Sequence, residues 1–168
     1  MIKNRFSIIL GLIVLEFVLI MFQSQVYGQL TKLSNLDIDM NLIPVGKTPV
    51  GIAVDPNTNR IYVSNYFSNV VFLMDPFITD IKPVPIKVGE RPTEIAVDPN
   101  TNRIYVSNSN NNTVSVIDGA TNRVIGDPIP VGEGPRGIAV DPNTHLVYVT
   151  NPGSNTVSVI DGATNKHS

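Results

Sequence analysis

The sequence predicts an all-β fold, a β-propeller built of four-stranded antiparallel blades. Three observations predict it. One 43-residue unit is written three times without a gap. Asp55, Asp98 and Asp141 each open Asp-Pro-Asn-Thr, and Gly46/Gly89/Gly132, Asn65/Asn108/Asn151 and Asp75/Asp118/Asp161 keep the same spacing. A period of about 40–45 residues with strand-like content is that of a propeller blade. Each unit also holds short β-favouring runs divided by turn residues. Finally, no segment spaces its apolar residues at 3.6, and Pro, Gly and Asn recur every few residues, which argues against a helical solenoid.

The elements follow in chain order. Lys3 and Arg5 precede the apolar run Phe6–Phe22, and Val26-Tyr27-Gly28 stands before Gln29. A charged start, an apolar core and a small-residue site predict a signal peptide over residues 1–28. The alternative is an uncleaved membrane anchor at residues 6–22, which approach transmembrane length. Glu16 inside that run is costly in a bilayer. The mature chain, 29–168, is then the repeat domain. In it Leu36, Ile38, Met40 and Leu42 alternate with Asp37, Asp39 and Asn41, so residues 36–45 read as a fourth strand without a blade of its own. The blades are expected at about 49–88, 93–131 and 136–161.

The second unit shows the order within a blade. Thr93–Val97 is apolar and suits an inner strand. Asp98–Asn102 is turn chemistry, because Pro pre-sets φ and Asp and Asn bond nearby backbone groups. Arg103–Ser107 is a second strand and Thr113–Ile117 a third, with Val114 and Val116 on one face. Asp118–Asn122 is a hairpin loop. Arg123–Val131 is expected as a fourth strand, at the rim because Pro128 and Pro130 suit only an edge. The third unit is expected to lack a fourth strand after Asn165. One chain could then lend its first strand to the last blade of another, two chains making a six-bladed ring.

Tyr62-Val63-Ser64-Asn65, Tyr105-Val106-Ser107-Asn108 and Tyr148-Val149-Thr150-Asn151 resemble the signature of the YVTN β-propeller repeat proteins. Ser154–Asp161 and the Ile-Pro-Val-Gly at 43–46 and 129–132 are similar to the family's continuation. The resemblance covers about residues 36–168. It implies a lactonase-like propeller fold and an extracellular or cell-surface, surface-layer-associated protein. It carries no catalytic motif over to this chain. The first unit departs from the pattern: Asn69–Met74 replaces Asn-Thr-Val-Ser-Val-Ile, Pro76-Phe77-Ile78 replaces Gly-Ala-Thr, and Tyr66 and Phe67 stand where the other copies have small or polar residues.

Composition narrows the function. Twelve basic and 14 acidic residues leave a formal charge of −2, and removing residues 1–28 takes away Lys3, Arg5 and Glu16, so the mature chain stays mildly acidic. Nothing there attracts nucleic acid. With no Cys, export brings no disulfide framework, and stability rests on blade packing. Asp55-Pro56-Asn57-Thr58-Asn59 has the oxygen spacing that begins a calcium loop. Arg60 and Tyr66 occupy the places of its Gly and Glu, so a hairpin turn is expected and no metal. His145 and His167 are isolated and expected to face solvent. Ser64 and Ser107 have no positioned base. No catalytic residue and no cofactor is therefore assigned. Asn111-Asn112-Thr113 is a glycosylation sequon.

Identical positions are expected to build the blade, which leaves the positions that differ for binding. The loops joining strand four to the next strand one, and strand two to three, share one face in such a blade. There the copies diverge. Lys47, Tyr66, Phe67, Glu90, Arg91, Glu94, Glu133 and Arg136 are the candidate partner-binding residues, with a ring of mixed charge around a channel mouth suited to a protein or glycan ligand. The function read from the sequence is a secreted or surface binding and assembly scaffold; a fragment of a lactonase-like enzyme is the alternative.

Overall fold

Three antiparallel sheets follow one another along the chain. The computed structural model describes residues 43–76 and 82–167. The expected leader or anchor, residues 36–42 of the unpartnered strand, and Phe77-Ile78 lie outside them. The first sheet holds β1 (Pro49–Val54), β2 (Ile61–Asn65), β3 (Val70–Met74) and β4 (Val84–Lys87), ordered as in the chain. The second holds β5 (Pro92–Asp98), β6 (Arg103–Asn108), β7 (Thr113–Asp118), β8 (Arg123–Val124) and β9 (Ile129–Pro130); β8 and β9 both pair with β7. The third holds β10 (Ile138–Asp141), β11 (Leu146–Asn151), β12 (Thr156–Asp161) and β13 (Lys166–His167). These are three propeller blades. No helix among the described residues is long and apolar enough to cross a membrane.

The structure departs from expectation at three places. The rim strand expected over Arg123–Val131 is two short pieces. Gly126 takes a φ of +68° between them, a left-handed geometry that breaks pleating and is cheap only for Gly, and Pro128 has no N–H to give the ladder. In the third blade a fourth strand does begin: β13 pairs Ile160 with His167 and Asp161 with Lys166. The segment Ile43–Gly46, expected to end a strand, forms no ladder among the described residues. Instead Asn65 Nδ2 donates to the Val45 carbonyl.

The core lies between blades. Tyr62, Val71, Leu73 and Ile86 of the first pack on Ile95, Ile104, Val106 and Ile117 of the second. Tyr105, Val114, Val116 and Ile129 of the second pack on Val147, Val149 and Ile160 of the third. The two joints use the same repeat positions. Strand alternation makes this possible, since each sheet presents one set of side chains to the preceding blade and the other to the next.

The repeated turn also joins blades. Within each turn the Asp carboxylate accepts from the amide two residues on, as Asp98 does from Asn100 at 3.0 Å, and from the Thr hydroxyl, as from Thr101 at 2.8 Å. Asn57 Nδ2 then donates to the Pro99 carbonyl and Asn100 Nδ2 to the Pro142 carbonyl, both at 2.6 Å. The Asp and Thr side-chain oxygens thus close each turn, and the Asn side-chain amides of the first two turns connect each to the next.

Candidate functional site

A groove of about 450 Å³ opens where the inner strands of the three blades converge. Val50, Thr93 and Arg136 line it, one from each blade at the same repeat position. Thr48 and Glu94 flank them, and Tyr66 and Phe67 form a wall. The inner strands are shaped for this. The β1–β2 register shifts between Pro49 and Ile52, and the β5–β6 register between Pro92 and Ile95. Such a bulge re-aims side chains at a sheet margin.

Buried hydroxyls hold the bulges. Ser64 Oγ accepts from the Gly51 amide at 2.8 Å and donates to the Thr93 carbonyl. Ser107 Oγ accepts from the Glu94 amide at 3.1 Å and donates to the Arg136 carbonyl at 2.7 Å. Thr93 Oγ1 lies 2.8 Å from Ser107 Oγ. Ser64 and Ser107 therefore tie one blade's inner strand to the next, which accounts for their recurrence without any nucleophilic role.

The structure brings together Tyr66, Phe67, Glu94 and Arg136 of the residues singled out in the sequence. The others do not line it. Arg91 sits over the Tyr66 ring, with Cζ 5.7 Å from the centroid, within cation–π range. Tyr66 meets Phe67 edge to face, centroids 5.0 Å apart. Glu90 Oε2 accepts from Asn110 Nδ2 at 2.6 Å, and the Glu133 carbonyl accepts from the Gly153 amide at 3.0 Å. Lys47 and Asn111 are exposed, and Asn111 Oδ1 accepts from the Glu90 amide. The expected ring of mixed charge is thus not one feature: Arg136 and Glu94 line the groove, while Arg91 braces an aromatic wall. The lining residues Thr48, Val50 and Thr93 lie on the same divergent face of the repeat, in register with Arg91 and Arg136, though outside the eight candidates singled out from it.

His167 is exposed, as expected, but His145 is not simply solvent-facing. His145 Nδ1 lies 2.8 Å from Asp98 Oδ2, whose side chain is fully buried, and so links the second and third blades. His167 Nε2 contacts the Pro130 carbonyl at 2.5 Å. Burial opposes ionisation of Asp98, but hydrogen bonds from Thr101, His145 and the Asn100 amide outweigh it and hold its carboxyl below the usual carboxylate range. Burial raises the Tyr62 and Tyr105 phenols. Among the described residues no three His, Cys, Asp or Glu side chains stand close enough to hold a metal.

Several solved structures share the fold. Hydrazine synthase from Kuenenia stuttgartiensis matches at 26% identity and a TM-score of 0.65, over 76% of this chain and 38% of that one. AztD from Citrobacter koseri matches at 21% and 0.60, over 76% and 37%. Virginiamycin B lyase from Staphylococcus aureus matches at 18% and 0.60, over 73% and 41%. The chain thus spans well under half the length of these proteins. No curated protein gives a significant match. The family described as lactonase, seven-bladed β-propeller, matches residues 75–166, more than half of the chain, and the chain belongs to that family.

Proposed function

We propose that this chain is an exported, cell-surface binding module of the YVTN type, and that the groove between its inner strands takes a polar ligand with an apolar face, such as an envelope glycan. One observation carries this reading. Position 50/93/136 is Val, Thr and Arg, and position 51/94/137 is Gly, Glu and Gly. The groove is therefore built where the copies diverge, beside positions whose identity the blade joints account for. Its chemistry suits such a ligand. The Tyr66–Phe67 pair offers an apolar surface, and Glu94, Arg136 and Thr93 offer acceptors and donors around it, the usual composition of a small-molecule site.

Co-sedimentation of the chain with envelope polysaccharide from the producing cells tests it. Arg136→Ala and Glu94→Gln should each weaken binding roughly tenfold, equivalent to about 1.4 kcal/mol, without shifting the melting temperature. Asn143→Ala, on the Asp-Pro-Asn-Thr side, should leave binding intact. Loss of binding in Asn143→Ala with retention in Arg136→Ala would move the functional face to the other side.

Family membership favours a second reading, a segment of a lactone-hydrolysing enzyme acting through Glu94 and Arg136. Hydrolysis of a simple lactone by the chain, abolished in Glu94→Gln, would replace the first reading with this one.

A further inference from the structure

We propose that the groove takes an acidic glycan, a sugar chain bearing carboxylates, with one carboxylate on the Arg136 guanidinium and the C–H face of the same sugar ring on the Tyr66–Phe67 wall. The proposal rests on the reading of the groove as a ligand site and names the class of that ligand. What the groove leaves free carries it: one cation, one anion, an exposed aromatic ring and few main-chain donors.

Arg136 is fixed at its root and free at its tip. Its amide donates to the Thr150 carbonyl at 3.0 Å. Its carbonyl accepts from Ser107 Oγ at 2.7 Å and from Thr93 Oγ1 at 3.2 Å. Blades two and three thus hold its backbone together. The side chain lines the groove and is exposed. Among the described residues its guanidinium makes no ion pair and no hydrogen bond. By contrast, Arg60 and Arg103 donate to the carbonyls of Gly119 and Gly162, and Arg91 lies over Tyr66. A free guanidinium on a fixed backbone suits a planar carboxylate, which it grips through two parallel N–H bonds.

The main chain favours a glycan over a peptide. An extended peptide joins a sheet edge through backbone N–H and C=O groups. Position 49/92/135 is Pro in all three copies and has no N–H to give. The amides of Gly51, Glu94 and Gly137 are taken by the hydroxyls of Ser64, Ser107 and Thr150, at 2.8, 3.1 and 2.9 Å. The Thr93 carbonyl accepts from Ser64 Oγ. Little backbone is left for a peptide to pair with, so recognition falls to side chains. These are the Phe67 ring, 66% exposed, the Tyr66 ring edge to face against it, the Thr48 hydroxyl, and the Glu94 carboxylate, which has no partner among the described residues. A sugar ring matches that set. Its C–H face is apolar, and the hydroxyls around its rim donate to Glu94 and exchange hydrogen bonds with Thr48. A few placed polar groups beside an aromatic surface are how concave sites orient a ligand.

Backbone strain marks the same place. Position 48/91/134 is left-handed in every copy, with φ of 57°, 52° and 62°. The geometry aims the Arg91 amide at Asn69 Oδ1 and the Gly134 amide at Asn112 Oδ1, at 3.0 and 2.8 Å. Gly takes it freely, whereas a β-branched Thr or an Arg takes it at a cost. Thr48 nonetheless stands there lining the groove, and Arg91 stands there bracing Tyr66. Strain retained by two side chains around one concavity points to use of those side chains.

Charge sharpens the site. The chain carries a formal −2, so no general attraction draws a polyanion to it. Capture of an acidic polymer needs a local cation, and Arg136 supplies it. The site is centred on blade two, which has a blade packed on each side. Thr93 and Glu94 come from its inner strand, and Arg91 ties Tyr66 of blade one to it.

The test is co-sedimentation of the chain with envelope polysaccharide from the producing cells, before and after reduction of the polymer's carboxyl groups to primary alcohols. Polygalacturonate, dextran and inorganic phosphate serve as soluble competitors. Reduction should weaken binding at least tenfold, and polygalacturonate should compete where dextran and phosphate do not. Arg136→Ala should weaken binding of the native polymer about tenfold and leave that of the reduced polymer unchanged. Arg136 is exposed, so the fold should persist, which circular dichroism checks. Equal binding of native and reduced polymer overturns this proposal while leaving the groove a glycan site. Binding of neither overturns both readings. Competition by dextran or phosphate equal to that by polygalacturonate, or full binding of the native polymer by Arg136→Ala, also overturns it.

Discussion

Tyr105 in the second blade is completely buried; Tyr148, the same residue of the same repeat in the third, is 40% exposed. The two strands that carry them, Arg-Ile-Tyr-Val-Ser-Asn and Leu-Val-Tyr-Val-Thr-Asn, are nearly the same peptide. Each pairs with its neighbours in equivalent register. What differs is whether another sheet lies on the outward face. In a propeller the strand sequence decides which side chains point to which face, and the adjoining blade decides whether that orientation contributes burial. Blades one and three are sound sheets with half their packing unclaimed among the described residues, while blade two is packed on both sides.

The largest test of this comparison removes the aromatic ring from each blade. Tyr105→Ala should destabilise the chain by about 3–5 kcal/mol, the range for deleting a buried aromatic, in urea unfolding. Tyr148→Ala should cost no more than about 0.5 kcal/mol, as at other exposed sites. Equal costs in dilute solution would show that the blades do not differ in the way their exposures imply.

A smaller effect separates Asp98 from Asp141. Both close a turn, but only Asp98 is buried and bonded to His145. Asp98→Ala should cost about 1–3 kcal/mol, because buried donors lose their acceptor. It should also flatten the acid limb of the stability curve. The folded carboxyl titrates below its unfolded value of about 3.9, so its contribution is complete above that pH and is lost as pH falls through the lower, folded value. Thermal melts between pH 2 and 6 measure this; a wild-type acid limb unchanged by Asp98→Ala would exclude the carboxylate as its source.

The smallest concerns the bridging amides. Asn100→Ala removes the 2.6 Å bond to the Pro142 carbonyl and should cost about 0.5–1.5 kcal/mol. Asn143→Ala, exposed at the end of the series, should cost a few tenths in dilute protein. If Asn143→Ala costs as much as Asn100→Ala there, something already occupies that end.

Much of the fold was legible in the residues. The strict spacing of Asp55, Asp98 and Asp141 located the turn after each inner strand, and the alternation around Val114 and Val116 located the third strands, because both signals are local. The break in the rim strand was written at Gly126 and Pro128 but was easy to pass over, since both residues also suit a continuous edge. His145 was expected to face solvent, and its partner was not legible. Its partner Asp98 lies 47 residues away and meets it only because blades two and three stack. The groove was half legible. The variable loops pointed to Tyr66, Phe67, Glu94 and Arg136, and the divergence at Val50, Thr93 and Arg136 was visible once the copies were aligned. That Arg91 turns aside to the Tyr66 ring was not.

The sequence by itself determined the period, the strand order within each blade and the two sets of side chains each sheet presents, because alternation and turn chemistry act over a few residues. Only the tertiary structure decided which of those faces are filled, that Ser64 and Ser107 lace inner strands together, and that one side chain from each blade meets in a single groove. Those outcomes depend on how one sheet lies against the next, and that is set by side chains a full repeat apart packing together, which no short stretch of chain contains.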